Sequence, residues 1–99
     1  MALKLIEQHH FFAEPGIITG QKVDVGGVIH KGQATVVLRG IEPSFNDGED
    51  HFIKIIKIRI TNVKPRDTFI EYDIEFDFMD DSNHKGSSNV DVLIVAAVD

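Results

Sequence analysis

Ninety-nine residues place the chain near the commonest domain size, with room for one hydrophobic core over residues 1–99 and too little for two. Hydrophobic residues at 42% and charged residues at 26% are the mix of an ordinary globular chain, too apolar for a disordered one. The absence of cysteine excludes disulfides and thiolate metal sites, and a formal net charge of −6 weighs against a phosphate backbone, hence nucleic acid, as partner. Met1–Glu7 lacks the apolar run of a signal peptide, and no stretch approaches the roughly 20 apolar residues of a membrane span. Neither membrane nor export is therefore expected.

Period-two alternation recurs along the chain while no long window keeps a helical stripe, so strands are expected throughout. The first covers about Leu3 to Phe12 and ends before Glu14-Pro15-Gly16, where Pro fixes φ and Gly admits the turn. The second runs from about Ile17 to Val25, with Gly20 as a bulge, and is interrupted by Gly26-Gly27. Val28 and Ile29 lead into a turn at His30-Lys31-Gly32. The third strand, Ala34 to Ile41, is β-branched at Thr35, Val36 and Val37 and stops at Glu42-Pro43. A loop from Ser44 to Asp50 follows, with Asn46-Asp47-Gly48 as its tip.

The fourth strand changes phase partway. Ile56, Ile58 and Ile60 alternate with Lys57 and Arg59, whereas upstream Ile53 and Ile55 are the apolar positions and Lys54 the polar one. Keeping one face buried requires an extra residue near Ile55-Ile56, a β-bulge. The fifth strand alternates without fault, with Ile70, Tyr72, Ile74, Phe76 and Phe78 on one face and Glu71, Asp73, Glu75 and Asp77 on the other. A hairpin joined through Asn62 to Asp67 would set Ile58 opposite Tyr72, Lys57 opposite Asp73, Arg59 opposite Glu71 and, past the bulge, Lys54 opposite Glu75. The sixth strand, Val90 to Val98, follows a polar loop from Asp80 to Asn89 and is almost wholly apolar after Asp91. It belongs either at the centre of a sheet or in a subunit interface, with Leu93, Ile94, Val95 and Val98 as candidate contacts. Six strands on short connections make an all-β fold, an antiparallel sandwich or small barrel.

No catalytic constellation assembles. Cysteine is absent, no Gly-x-Ser-x-Gly occurs, and Ser44, Ser82, Ser87 and Ser88 sit in polar loops where hydroxyls serve turns. The evenly spaced carboxylates of the fifth strand have basic neighbours and no cleft, unlike the unequal pair of a glycosidase. Adjacent His9 and His10 point to opposite faces of a strand and cannot share an ion. His30, His51 and His84 fall in turns or strand ends, where a solvated imidazole is the ordinary case. The acidic loops Asp47 to Asp50 and Asp80 to Asn83 lack EF-hand spacing, and solvated turn carboxylates explain them better than calcium. No metal or other cofactor is expected.

From Thr35 to Val98 the order of parts resembles the H-type lectin domain. The resemblance rests on Val36 to Glu42, the alternating strand closing on Asn62-Val63, the Phe-led strand Phe69 to Phe78, and the apolar finish Val92 to Ala96. It implies a six-stranded antiparallel sandwich that trimerises and binds N-acetylgalactosamine-type sugars at subunit boundaries. On that alignment Phe78 stands near the family's Trp, and Lys54 or Arg59 near its sugar-binding Arg. The chain departs from the family in having no Trp and a single Tyr, Tyr72, on the core face. Two function classes follow. The first is a non-enzymatic structural module forming a homo-oligomer, trimer favoured, within a larger particle such as a phage capsid decoration or tail protein, in the virion or cytoplasm. The second is a carbohydrate-binding module using Lys54, Arg59 and Phe78.

Overall fold

A computed structural model describes residues 1–99 as six strands and no helix. They are β1 (Ala2–Phe12), β2 (Gly16–Asp24), β3 (Ile29–Ser44), β4 (Ile53–Arg66), β5 (Phe69–Asp80) and β6 (Ser87–Val98). All pairings are antiparallel, in two three-stranded sheets ordered β1-β6-β3 and β2-β5-β4. The sandwich expected from the alternation is what forms, and the two strands with the strictest alternation, β5 and β6, take the central positions. A central strand is flanked on both edges, so every inward side chain is covered. Ile70, Tyr72, Ile74 and Phe76 of β5 and Val90, Val92, Ile94 and Ala96 of β6 are accordingly at most 1% exposed. Each large side chain so buried contributes about 1.5–3 kcal/mol relative to exposure. The fully buried Tyr72 keeps its hydroxyl satisfied through His10 Nε2, 2.8 Å away.

Ile94 and Val98 therefore belong to the protomer core rather than to a subunit interface. Leu93 and Val95 point to the outer face of β1-β6-β3, where their cross-strand partners are Glu7 and Val37, and Leu5 and Thr35.

Several local expectations are corrected. His30-Lys31-Gly32 does not turn the chain but bulges β3. Between Ile29↔Val98 and Ala34↔Ala96 the strand takes five steps against two on β6, with Lys31 and Gly32 at positive φ. The strand also runs through Glu42-Pro43 to Ser44, because β3 is an edge strand and Pro there leaves no ladder donor missing. The hairpin β4–β5 forms, but Asn62 to Asp67 is not its loop. A two-residue turn, Asp67-Thr68, joins Arg66↔Phe69, and Asn62 at φ 52° instead makes a bulge inside β4. The register consequently lies four residues from the expected one. Ile58 faces Phe76, Lys57 faces Asp77 and Arg59 faces Glu75. Between Ile53↔Asp80 and Ile55↔Met79 the extra residue is Lys54, one step before the expected bulge, and it has no opposite partner. The bulge expected at Gly20 is present, with φ 64°.

The edge strands β3 and β4 pack across from each other along one flank. Antiparallel partners share a face, so Leu38, paired with Val92, and Ile41, paired with Val90, face inward, as do Ile53 and Ile56 opposite Asp80 and Phe78. Yet these four are 46%, 36%, 58% and 44% exposed. The core is open along this flank. The molecule is correspondingly long, 50 × 19 × 16 Å, with a radius of gyration of 15.8 Å against about 13 Å for a compact chain of this length.

Candidate functional site

The alternation of β5 that buries Phe76 and Phe78 also carries the next inward position, Asp80, into the end of the sandwich at 4% exposure. A buried carboxylate demands partners, and the chain supplies them locally. After Asp80 the backbone turns through Asn83, at φ 63°, so that the Ser82 and His84 amides donate to Asp80 Oδ1 at 2.9 and 2.8 Å. The Asp80 amide donates back to the His84 carbonyl at 3.0 Å. The other oxygen, Oδ2, is thereby aimed at two imidazoles, with His84 Nδ1 at 2.8 Å and His51 Nδ1 at 2.6 Å.

His51 arrives from the loop between β3 and β4. Asn46 and Gly48, at φ 62° and 69°, fold that loop back, and the Asp47 carboxylate accepts the Glu49 amide at 3.0 Å. The same carboxylate meets His51 Nε2 at 2.9 and 2.8 Å. The His51 ring stacks on Phe45, centroids 4.1 Å apart and planes 19° apart, and Phe45 in turn packs on Phe78 at 4.4 Å. Its side chain is left 9% exposed, while that of His84 is 67% exposed. Two tethers hold the loops together: Asn46 Nδ2 donates to Ser87 Oγ at 2.8 Å, and the Asp81 amide donates to the Phe52 carbonyl at 2.9 Å.

The electrostatics follow from this packing. Burial alone would push the Asp80 carboxyl up, but the hydrogen bonds from His51, from His84 and from the His84 amide together hold it far below the ordinary carboxylate range. His51, hydrogen-bonded to Asp80 and then to Asp47, is raised above the usual imidazole value despite its burial. Asp47 is lowered by the Glu49 amide and by His51. The ligating atoms of His51, Asp80 and His84 all lie within 4.8 Å of one another, so the trio has the donor types and closeness to hold a cation.

Within this cluster His51 and Asp80 depart from the solvated turn residues expected from the sequence, while His84 and Asp47 remain exposed. His51 is enclosed, and Asp80 is a core-phase residue rather than a loop one. Conversely, Lys54, Arg59 and Phe78 are not brought together. Phe78 is 3% exposed beneath Phe45 and offers no open ring face, because the inward phase of β5 places it in the core. Arg59 lies on the opposite, outer face of the sheet opposite Glu75, and Lys54 is the exposed bulge residue of β4. The aromatics exposed to solvent are Phe11, at 60%, and Phe52, at 81%. His9 and His10 do diverge as expected, the first to Asp91 at 2.6 Å outside and the second to Tyr72 inside. Comparison with protein-family models, with curated proteins and with solved structures finds no significant match.

Proposed function

We propose that the chain is a non-enzymatic assembly module whose copies associate symmetrically, trimer favoured, through the open β3/β4 flank. Packing into a larger particle, such as a phage capsid decoration or tail protein, is the setting this reading suggests. The observation that carries it is the exposure of Leu38, Ile41, Ile53 and Ile56, whose register turns them toward the core. Only 18 of 99 residues are buried, a thin core for one chain to rely on. A second copy is the occupant that fits, because a cyclic arrangement completes the same unfinished flank on every protomer.

Sedimentation velocity of Ile41→Lys and Ile56→Lys tests this. Each variant should keep its β-sheet circular dichroism and sediment as a smaller particle, since a lysine on this flank is solvated in the monomer and desolvated in the assembly. Variants that sediment like the parent chain would overturn it.

A carbohydrate-binding function on the H-type plan is the second reading, and Phe52 favours it. That ring stands 81% exposed beside the two loops and is free to stack on a pyranose. Binding of N-acetylgalactosamine-type sugars on a glycan array, lost in Phe52→Ala, would support it.

A further inference from the structure

His51 presents its two ring nitrogens to two carboxylates, Nδ1 to Asp80 and Nε2 to Asp47. A neutral imidazole has one N–H and one lone pair, and an ionised carboxylate only accepts. A proton on both nitrogens satisfies the two contacts, and so does a proton on one with a cation on the other. Two details indicate where a cation would sit. Asp47 grips Nε2 with both oxygens, the arrangement by which an outer carboxylate orients a metal-ligating histidine. At the other nitrogen a second imidazole converges, because His84 Nδ1 and His51 Nδ1 aim at the same Asp80 oxygen. The other histidine–aspartate pairs on the surface, His9–Asp91 and His30–Asp99, are one-to-one and lack this convergence.

We propose that His51 Nδ1, His84 Nδ1 and Asp80 Oδ2 form a binding site for a divalent transition-metal ion of the Zn²⁺ class. Two imidazoles and one carboxylate are the donors such ions select over Ca²⁺ or Mg²⁺. Ligands about 2.0–2.2 Å from a tetrahedral centre stand about 3.3 Å apart. The present 2.6 and 2.8 Å contacts must therefore open by roughly 0.7 and 0.5 Å. Backbone amides on Oδ1 fix Asp80, His84, 67% exposed, is free to open its own contact, and His51 must slide along the Phe45 stack to open the shorter one. His84 is the solvent-facing member of the three. The ion would fasten the loop after β3 to the turn after β5, and the site does not depend on the assembly reading.

Calorimetric titration of the full chain with Zn²⁺, together with the visible absorption of the Co²⁺ form, tests the assignment. One ion per chain is expected. His84→Ala should weaken binding at least about tenfold and change the Co²⁺ spectrum, and Asp47→Asn should weaken it about 10- to 100-fold as an outer-sphere loss. Both side chains are exposed enough that folding should survive, which circular dichroism would verify. His9→Ala and His30→Ala should bind as the parent does. Absence of binding to the parent chain, binding unaffected by His84→Ala, or equal weakening in His9→Ala would each overturn the proposal.

Discussion

The Asn62 side chain on β4 donates to the Asp73 carboxylate on β5 at 2.7 Å, and the other Asp73 oxygen accepts the Gly20 amide of β2 at 2.8 Å. Asn62 and Gly20 are the positive-φ residues at the bulges of the two edge strands, so one central carboxylate fastens both irregularities of its sheet. These two hydrogen bonds hold the Asp73 carboxyl below its ordinary 3.8, Asn62 contributing most. A folded-state pKa below the unfolded one gives a stabilisation that is present above pH 3.8 and lost as pH falls through the folded value. Asp73→Asn should therefore be less stable than the parent at neutral pH, with the gap narrowing in acid. Urea unfolding midpoints measured as a function of pH check this, and a gap that widens below pH 3.8 would contradict it.

The register of the β4–β5 hairpin makes a second prediction. Lys57 Nζ lies 3.0 Å from Glu75 Oε1, with side chains 48% and 30% exposed. A double-mutant cycle should find about 0.2–1 kcal/mol of coupling between these two, as for other exposed pairs, and none between Lys57 and Asp73. Coupling to Asp73 instead would move the hairpin by four residues.

Gly86 is fixed by space rather than by φ. A Cβ there would meet the Phe78 ring at 2.3 and 2.6 Å and the Ser44 carbonyl at 2.9 Å. The ring is buried and the carbonyl is backbone, so neither yields cheaply. Gly86→Ala should cost about 1–3 kcal/mol in thermal or urea unfolding, in the range of overpacked cores. Gly86→Ala combined with Phe78→Leu should recover part of the loss.

Neighbouring positions on β6 should behave oppositely. Ile94→Asp places a carboxylate at a 0% exposed position between the sheets and should abolish folding, being costly by several kcal/mol. Val95→Asp, on the outer face, should leave the circular dichroism of the folded sheet intact. Equal tolerance of both would mean that β6 does not present alternate faces to core and surface.

Strand identity and the inward faces of β5 and β6 were readable because period two is a local pattern, and nine consecutive alternating residues from Ile70 to Phe78 leave little choice of face. Register was not, since it depends on whether a polar segment forms a loop or a bulge. Asn62 to Asp67 has the composition of either, and only a two-residue turn at Asp67-Thr68 lets Asn62 reach Asp73. The cluster at the end of the sandwich escaped for a related reason. Asp80 sits in a run of polar residues that suggests a loop, yet it continues the inward phase of Phe76 and Phe78, and counting two beyond Phe78 would have placed it inside. His51 gave no such signal, because its burial depends on Phe45, Asp47 and Asp80, which only the fold assembles. For Ile94 and Val98 the misassignment came from taking a continuous apolar run as uniform, when half of it faces the core of its own protomer.

The mass of the unmodified chain in solution, measured by light scattering over a wide concentration range, tests the assembly reading most directly. An open β3/β4 flank covered by further copies predicts a particle that is a whole multiple of the 11.1 kDa protomer, three being the number that the resemblance to the H-type lectin domain implies. A mass of 11.1 kDa at every concentration would contradict it, leaving Leu38, Ile41, Ile53 and Ile56 as the exposed flank of a monomer.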